Sequence, residues 1–179
     1  LDHTRPNYQS TRGTIYFFGF SDHLRQSIDA LAKKEDVTRF MIYLAAFDAF
    51  LYRLTSQADI CLGAPIAGRN RKETESLIGF FVNTLVMRGD LDGNPTFAEF
   101  LSQVKKTAVE AYEHQDVPFE KLVDILQPQR DTSHSPLFQV MFVWQNLPVS
   151  RLALAGLNVT RLDMDTGSTK LDINVHIEE

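Results

Sequence analysis

Apolar and polar residues follow two rhythms along this chain, and each predicts a different kind of element. Leu24, Ile28 and Leu31 recur at helical spacing between polar neighbours, the pattern of an amphipathic surface helix. Ser21 stands where its side chain can cap that helix, with Asp22 favourable in the first turn. From Thr38 to about Thr55 the apolar residues, among them Phe40, Met41, Leu44, Phe47, Phe50 and Leu54, cover most of the circumference. A helix apolar all round is a buried one, so this segment is expected between a sheet and other helices. A short, polar helix-like stretch runs from Lys72 to Leu77. Thr96 and Glu99 have capping-box spacing, worth ~1 kcal/mol at a helix start. Phe97, Phe100, Leu101, Val104, Ala108 and Ala111 then carry a long amphipathic helix. Pro118 fits the first turn of a short helix bearing Phe119, Leu122, Val123 and Leu126, which Pro128 stops.

The second rhythm is that of strands. Thr14–Phe20 is β-prone and bounded by Gly13 and Gly19. Asp59–Ile66 reads as a buried strand ending in a turn punctuated by Gly63, Pro65 and Gly68. Phe80–Arg88 is a further strand, and Leu137–Trp144 is apolar except for Gln139, as expected of a strand covered on both faces. Leu157–Leu162 is a weaker candidate. Leu171, Ile173, Val175 and Ile177 alternate with Asp172, Asn174, His176 and Glu178, which predicts a half-exposed strand. Interleaved strands and helices predict an α/β fold, a mixed β-sheet flanked by helices. Residues 1–12 read as an extended arm and residues 150–179 as a candidate crossover or latch region. Leu1 is not a methionine, and the last strand runs into Glu179; both are expected of a segment of something larger.

Composition narrows the class. The 179 residues are long enough for one domain, 44% are apolar and 23% charged, and the net charge is −5. The longest basic cluster, Arg69-Asn70-Arg71-Lys72, is too short for a nucleic-acid footprint. No apolar stretch reaches the ~20 residues of a membrane span, and a cytoplasmic protein is the default. Cys61 is the single cysteine, so no internal disulfide forms and no metal-ligand spacing exists. Its apolar neighbours Ile60 and Leu62 predict a buried, inert thiol.

Three stretches, in order, resemble the C-terminal signature motifs of nonribosomal peptide synthetase condensation domains. Ile78-Gly79-Phe80-Phe81-Val82-Asn83-Thr84, continuing to Arg88, is similar to the fifth motif. His114-Gln115-Asp116-Val117-Pro118-Phe119-Glu120 matches the sixth, HQDxPFE. Arg130-Asp131-Thr132-Ser133-His134-Ser135-Pro136-Leu137 resembles the seventh, with His134 in place of the usual Arg. Gly63-Ala64-Pro65-Ile66-Ala67-Gly68-Arg69 resembles the family's GxPxAGR turn. The resemblance covers essentially the whole chain and implies one half, the C-terminal lobe, of a two-lobed chloramphenicol acetyltransferase-like fold. The family's first four motifs are absent here, including HHxxxDG, whose second His is the usual catalytic residue.

What the resemblance implies is amide formation: an amine on one carrier-protein thioester attacks the acyl thioester on another, both on phosphopantetheine arms. This segment would be part of a peptide-bond-forming acyltransferase, inactive alone, with no cofactor bound directly and no catalytic residue of its own. Its implied partners are the N-terminal lobe, donor and acceptor carrier proteins and an adjacent adenylation domain. Arg69 is the expected supporting residue, reaching across the cleft to the Asp of HHxxxDG; the other reading is a solvated charge. In this chain without the other lobe, Arg69 is expected exposed and unpaired. Asn83, unusual in a strand, either faces the pantetheine cleft or ties down a neighbouring loop. Gln145 and Asn146, polar at a strand end, are cleft candidates. Asp116, Pro118, Glu120, Arg130 and Asp131 are read as structural: the carboxylates favour a helix start, and Arg130-Asp131 forms a turn before the core strand. A non-catalytic docking module and half of a heterocyclization domain remain as alternatives.

Overall fold

The computed structural model describes all residues except 1–3, 70, 71, 76, 130, 146–155, 161, 163 and 179. Among the described residues, the helices are α1 (Asp22–Glu35), α2 (Arg39–Thr55), α3 (Lys72–Glu75), α4 (Phe97–Glu113) and α5 (Phe119–Leu126). The strands are β1 (Asp59–Ile66), β2 (Asn83–Asp90), β3 (Val140–Gln145) and β4 (Ile173–Glu178). They form one mixed sheet in the order β2-β1-β3-β4. β1 and β2 are antiparallel, whereas β1, β3 and β4 run parallel.

The helix starts follow from the residues that precede them. Ser21, Thr38 and Thr96 each accept a hydrogen bond from a backbone N–H of the first turn, and Thr96 with Glu99 completes the capping box. α2 is the central helix: it packs against α1, α4 and β1 and buries Phe40, Met41, Ile42, Leu44, Ala45 and Leu51. One face of its last turns leaves the core, with Phe50 and Leu54 exposed while Leu51 stays buried. Phe100, Leu101, Val104 and Ala108 of α4 complete the packing with Leu62, Met87 and Phe142 of the sheet.

The last strand begins at Ile173 rather than Leu171, and four other predicted strands differ from the observed ones for identifiable reasons. β2 begins at Asn83 because its partner β1 ends at Ile66, which pairs with Asn83. Phe80 therefore has no strand opposite it and is 90% exposed. β3 begins at Val140 because Leu137 has φ 65°, a left-handed conformation that no strand accommodates. Residues 14–20 and 157–160 are irregular; β propensity without a neighbouring strand to pair with forms no ladder. The N-terminal arm, by contrast, is tied down as far as it is described. Gln9 N–H donates to Thr132 O at 3.0 Å, and Arg5 bonds Ser133 O at 3.2 Å and pairs with Asp172.

Candidate functional site

Register brings the candidate residues to one end of the sheet. Parallel β1, β3 and β4 all finish there, and antiparallel β2 starts there, since Ile66 pairs with Asn83 and Gln145 with Glu178. Arg69 follows the end of β1 by three residues. In open α/β sheets the carboxyl ends of parallel strands are where ligands bind.

Arg69 does not match the expectation of an exposed, unpaired cation. It is half-buried, and its guanidinium donates to the carbonyls of Thr74, Leu77 (2.7 Å) and Gly79 (3.3 Å) while lying 4.3 Å from the Phe81 ring centroid. The donors expected to await a missing partner are met by the chain's own next loop. Gly68 makes this return possible: its φ is +61°, and a Cβ there would lie 1.9 Å from Phe81 O. Clamped from below, the loop presents Leu77, Ile78 and Phe80 outward, Ile78 and Phe80 almost fully exposed.

Asn83 is a tie between motifs. Its amide nitrogen donates to Gln115 O and Val117 O, both at 2.8 Å, and its oxygen accepts from Thr84 N–H (2.9 Å) and Phe119 N–H (3.1 Å). Two donors and two lone pairs are thereby used. Phe119 opens α5, whose N-cap Pro118 has no capping side chain, so Asn83 supplies the cap from another strand. Pro118 thus stands one residue before the helix rather than in its first turn. Glu120 does fall in that turn, and both Asp116 and Glu120 are exposed. His114 is the C-cap of α4, its backbone N–H donating to Glu110 O at 3.2 Å.

Asp131 accepts from Ser133 N–H at 2.6 Å and lies 3.7 Å from His134 Nε2. The Ser133 hydrogen bonds hold its carboxyl below the usual range. Gln145 is the exposed last residue of β3; Asn146 and Arg130 lie outside the described residues. Arg88, the last residue of the fifth motif, forms a surface fork on Asp59 with both bonds at 2.8 Å, far from the strand ends gathered at Arg69. Cys61 is half-buried, its thiol pushed up by burial first and then by the charge of Asp59. No group of His, Cys, Asp or Glu among the described residues is arranged to hold a metal ion, and no helix among them is long and apolar enough to cross a membrane.

One buried acid shows in the sequence only as an interruption of an apolar run. Asp48, in the middle of α2, is 1% exposed, and its Oδ1 has no hydrogen-bond partner among the described residues. Burial pushes its carboxyl up to about 8.

A four-stranded mixed sheet flanked by helices, with its strand ends gathered near Arg69, defines a mixed α/β fold. The sequence profile described as "Condensation domain" matches residues 1–179, and the chain belongs to that family. It is 53% identical over 180 residues to a linear gramicidin synthase polypeptide of Brevibacillus parabrevis, covering 99% of this chain and 4% of that protein. It superposes on the X-domain in a complex with OxyB from teicoplanin biosynthesis with TM-score 0.85 and 24% identity, covering 99% of this chain and 38% of that one. A four-domain nonribosomal peptide synthetase bound to AMP and glycine matches with TM-score 0.78 and 29% identity, over 83% of this chain and 11% of that one. The chain thus spans a small fraction of the length of these relatives.

Proposed function

We propose that this chain is the C-terminal lobe of a condensation domain and supplies one wall of an amide-forming cleft, with residues 1–12 as an inter-lobe arm and 150–179 as a crossover or latch. The amine of a carrier-bound aminoacyl group attacks the carbonyl of a second carrier-bound thioester. A C–N bond forms, the C–S bond breaks, and the amine's proton leaves as the pantetheine thiol is released. The usual catalytic histidine of the family, in HHxxxDG, would come from the other lobe. This lobe acts by positioning, through Arg69 and Gln145 at the strand ends, with Asn146 as a further cleft candidate from the sequence. Donor and acceptor carrier proteins and an adjacent adenylation domain are its partners, in the cytoplasm.

The observation that carries this reading is the Arg69 clamp, which fixes the fifth-motif loop and turns Leu77, Ile78 and Phe80 outward at the strand ends. A rigid apolar rim of this kind suits the seam with a second lobe. Arg69 is a positioning residue here: its guanidinium shapes the rim, and contact with the HHxxxDG aspartate would add to that role.

The test uses carrier proteins loaded with aminoacyl thioesters. The two-lobed protein is expected to form amide, this chain alone to form none, and Arg69→Ala in the two-lobed protein to lower kcat with the thioester substrates still bound. Turnover by this chain alone at the rate of the two-lobed protein would refute the split site. Unchanged kcat in the Arg69 variant would remove the clamp from the mechanism.

A further inference from the structure

The two proposed connections to the other lobe, residues 1–12 and 150–179, are fastened to each other where both are described. The pairing is antiparallel and falls on alternate arm residues, as an extended backbone requires. Gly13 N–H donates to Gly167 O (3.0 Å), Thr169 N–H to Thr11 O (2.8 Å), and the Gln9 side-chain amide to Lys170 O (2.7 Å). Gly13 permits the approach, since a Cβ there would lie 2.9 Å from Thr169 Cβ. The same arm is sewn to the seventh-motif turn. Gln9 N–H donates to Thr132 O (3.0 Å), and the Thr132 hydroxyl donates to Asn7 O (2.7 Å).

Arg5 closes this assembly. One guanidinium nitrogen donates to Asp172 Oδ1 at 3.0 Å and to the carbonyl of buried Ser133 at 3.2 Å, and the other pairs with Asp172 Oδ2. Asp172 directly precedes β4, and its own N–H donates at 3.0 Å to the carbonyl of Gln139, which directly precedes β3. A lysine would carry the same charge, but it cannot fork a carboxylate and reach a third acceptor in one plane. We propose that Arg5 is a positioning residue that locks the two inter-lobe connections together, so that this lobe turns against the other about a single site. Two separate tethers would let the lobes slide and twist as well as rotate; fastened together, they leave one mode. The lock bears on the residues that open β3 and β4. The six residues of β3 carry its position about 20 Å along the strand, to the end where Gln145 lies. The inference rests on the two-lobed reading, in which residues 1–12 and 150–179 lead to the second lobe.

The test begins on this chain, where it reads no activity. Amide hydrogen exchange at Gly13 and Thr169, followed by NMR, is expected to quicken about tenfold in Arg5→Ala, and less in Arg5→Lys, with α4 unchanged as the internal reference. Unchanged exchange in Arg5→Ala overturns the lock. In the two-lobed protein, the distance between a spin label on α4 and one on the other lobe is expected to spread over a wider range in Arg5→Ala. There kcat is expected to fall roughly tenfold with KM unchanged, and Arg5→Lys to stand between that variant and the unaltered protein. Quicker exchange with the same label distances and the same kcat overturns the positioning role. If the unaltered two-lobed protein forms no amide, the catalytic reading fails, and the label distances still decide the lock: a wider spread in Arg5→Ala supports it and an identical spread overturns it.

Discussion

Replacing Asp48 with Asn should stabilise this protein, and the gain should grow with pH. The carboxyl sits in the core of α2, 1% exposed, beside the Cα of Gly89: a Cβ built there would come within 2.9 Å of Asp48 Oδ2 and 3.1 Å of the Phe100 ring. Burial alone sets its titration, with no cation among the described residues to offset the loss of water, so the neutral acid is favoured up to about pH 8, against 3.8 for an ordinary aspartate. Below pH 3.8 the group is neutral in both folded and unfolded chains, and burial of its charge costs nothing. From there to pH 8 the unfolded chain has released a proton that the folded chain retains, so stability falls by about 1.4 kcal/mol per pH unit. At pH 7 the accumulated cost is about 4 kcal/mol if the site stays dry, a large share of a typical 5–15 kcal/mol total. Asn has the same shape and no charge to lose. Urea unfolding of both proteins at pH 5.5 and 7.5 separates this effect from any fixed packing difference. The advantage of Asp48→Asn should widen by about 3 kcal/mol between the two pH values. A difference that stays constant across that range would refute the reasoning, because it would mean that the folded carboxyl is already ionised.

The other predictions concern the ties between motifs. Asn83→Ala should cost about 2 kcal/mol or more by leaving Gln115 O, Val117 O and Phe119 N–H without their partner, with faster amide exchange across 115–119; unchanged unfolding and exchange would deny the tie. Gly68→Ala should cost at least about 2 kcal/mol, from the left-handed backbone and the clash with Phe81 O, measured by denaturant midpoint; a cost below about 0.5 kcal/mol, the size of an ordinary surface change, would contradict it. Ile78→Glu with Phe80→Glu should leave stability within about 0.5 kcal/mol and lower the emission of a hydrophobic dye bound to this chain; unchanged emission would show that the exposed rim is not the dye-accessible surface.

How much of this was legible in advance depended on whether local chemistry decided the outcome. Helix starts were, because Ser21, Thr38 and the Thr96–Glu99 pair satisfy N–H groups within three residues of themselves. The β1 span was legible because its run is apolar and ends in turn residues. Strand starts were not, since Asn83 and Val140 begin strands for reasons supplied by a partner strand and by the backbone of Leu137. Propensity marks 14–20 as a strand, but a strand exists only where another backbone accepts it. Among the site residues, the strand-end placement of Gln145 was readable from the apolar run before it. The Arg69 clamp was not, because its acceptors are carbonyls, and every residue carries one. Asp48 could have been noticed as the lone acid in a helix otherwise apolar all round. The want of a partner for its Oδ1 became visible only in three dimensions.

The motif stretches also acquire a physical relation that their separate spelling hides. Arg69 binds the loop at Leu77 and Gly79, Asn83 holds the loop at 115–119, and the Phe119 ring lies 5.4 Å from the Phe138 ring. Phe138 in turn packs where a Cβ on Gly63 would come within 2.4 Å of it, which closes the circuit on β1, the strand that leads into Arg69. Four stretches distant in sequence thereby brace one another at one end of the sheet. Such a circuit sets positions to within a hydrogen bond's tolerance, which catalysis by orientation needs. The sixth motif is part of this circuit: His114 ends α4, and the residues just after it are gripped by Asn83. If the circuit fixes the cleft wall, then Asn83→Ala and Gly68→Ala should lower turnover in the two-lobed protein at temperatures where both variants remain folded. Full activity in either folded variant would mean that the bracing serves stability alone.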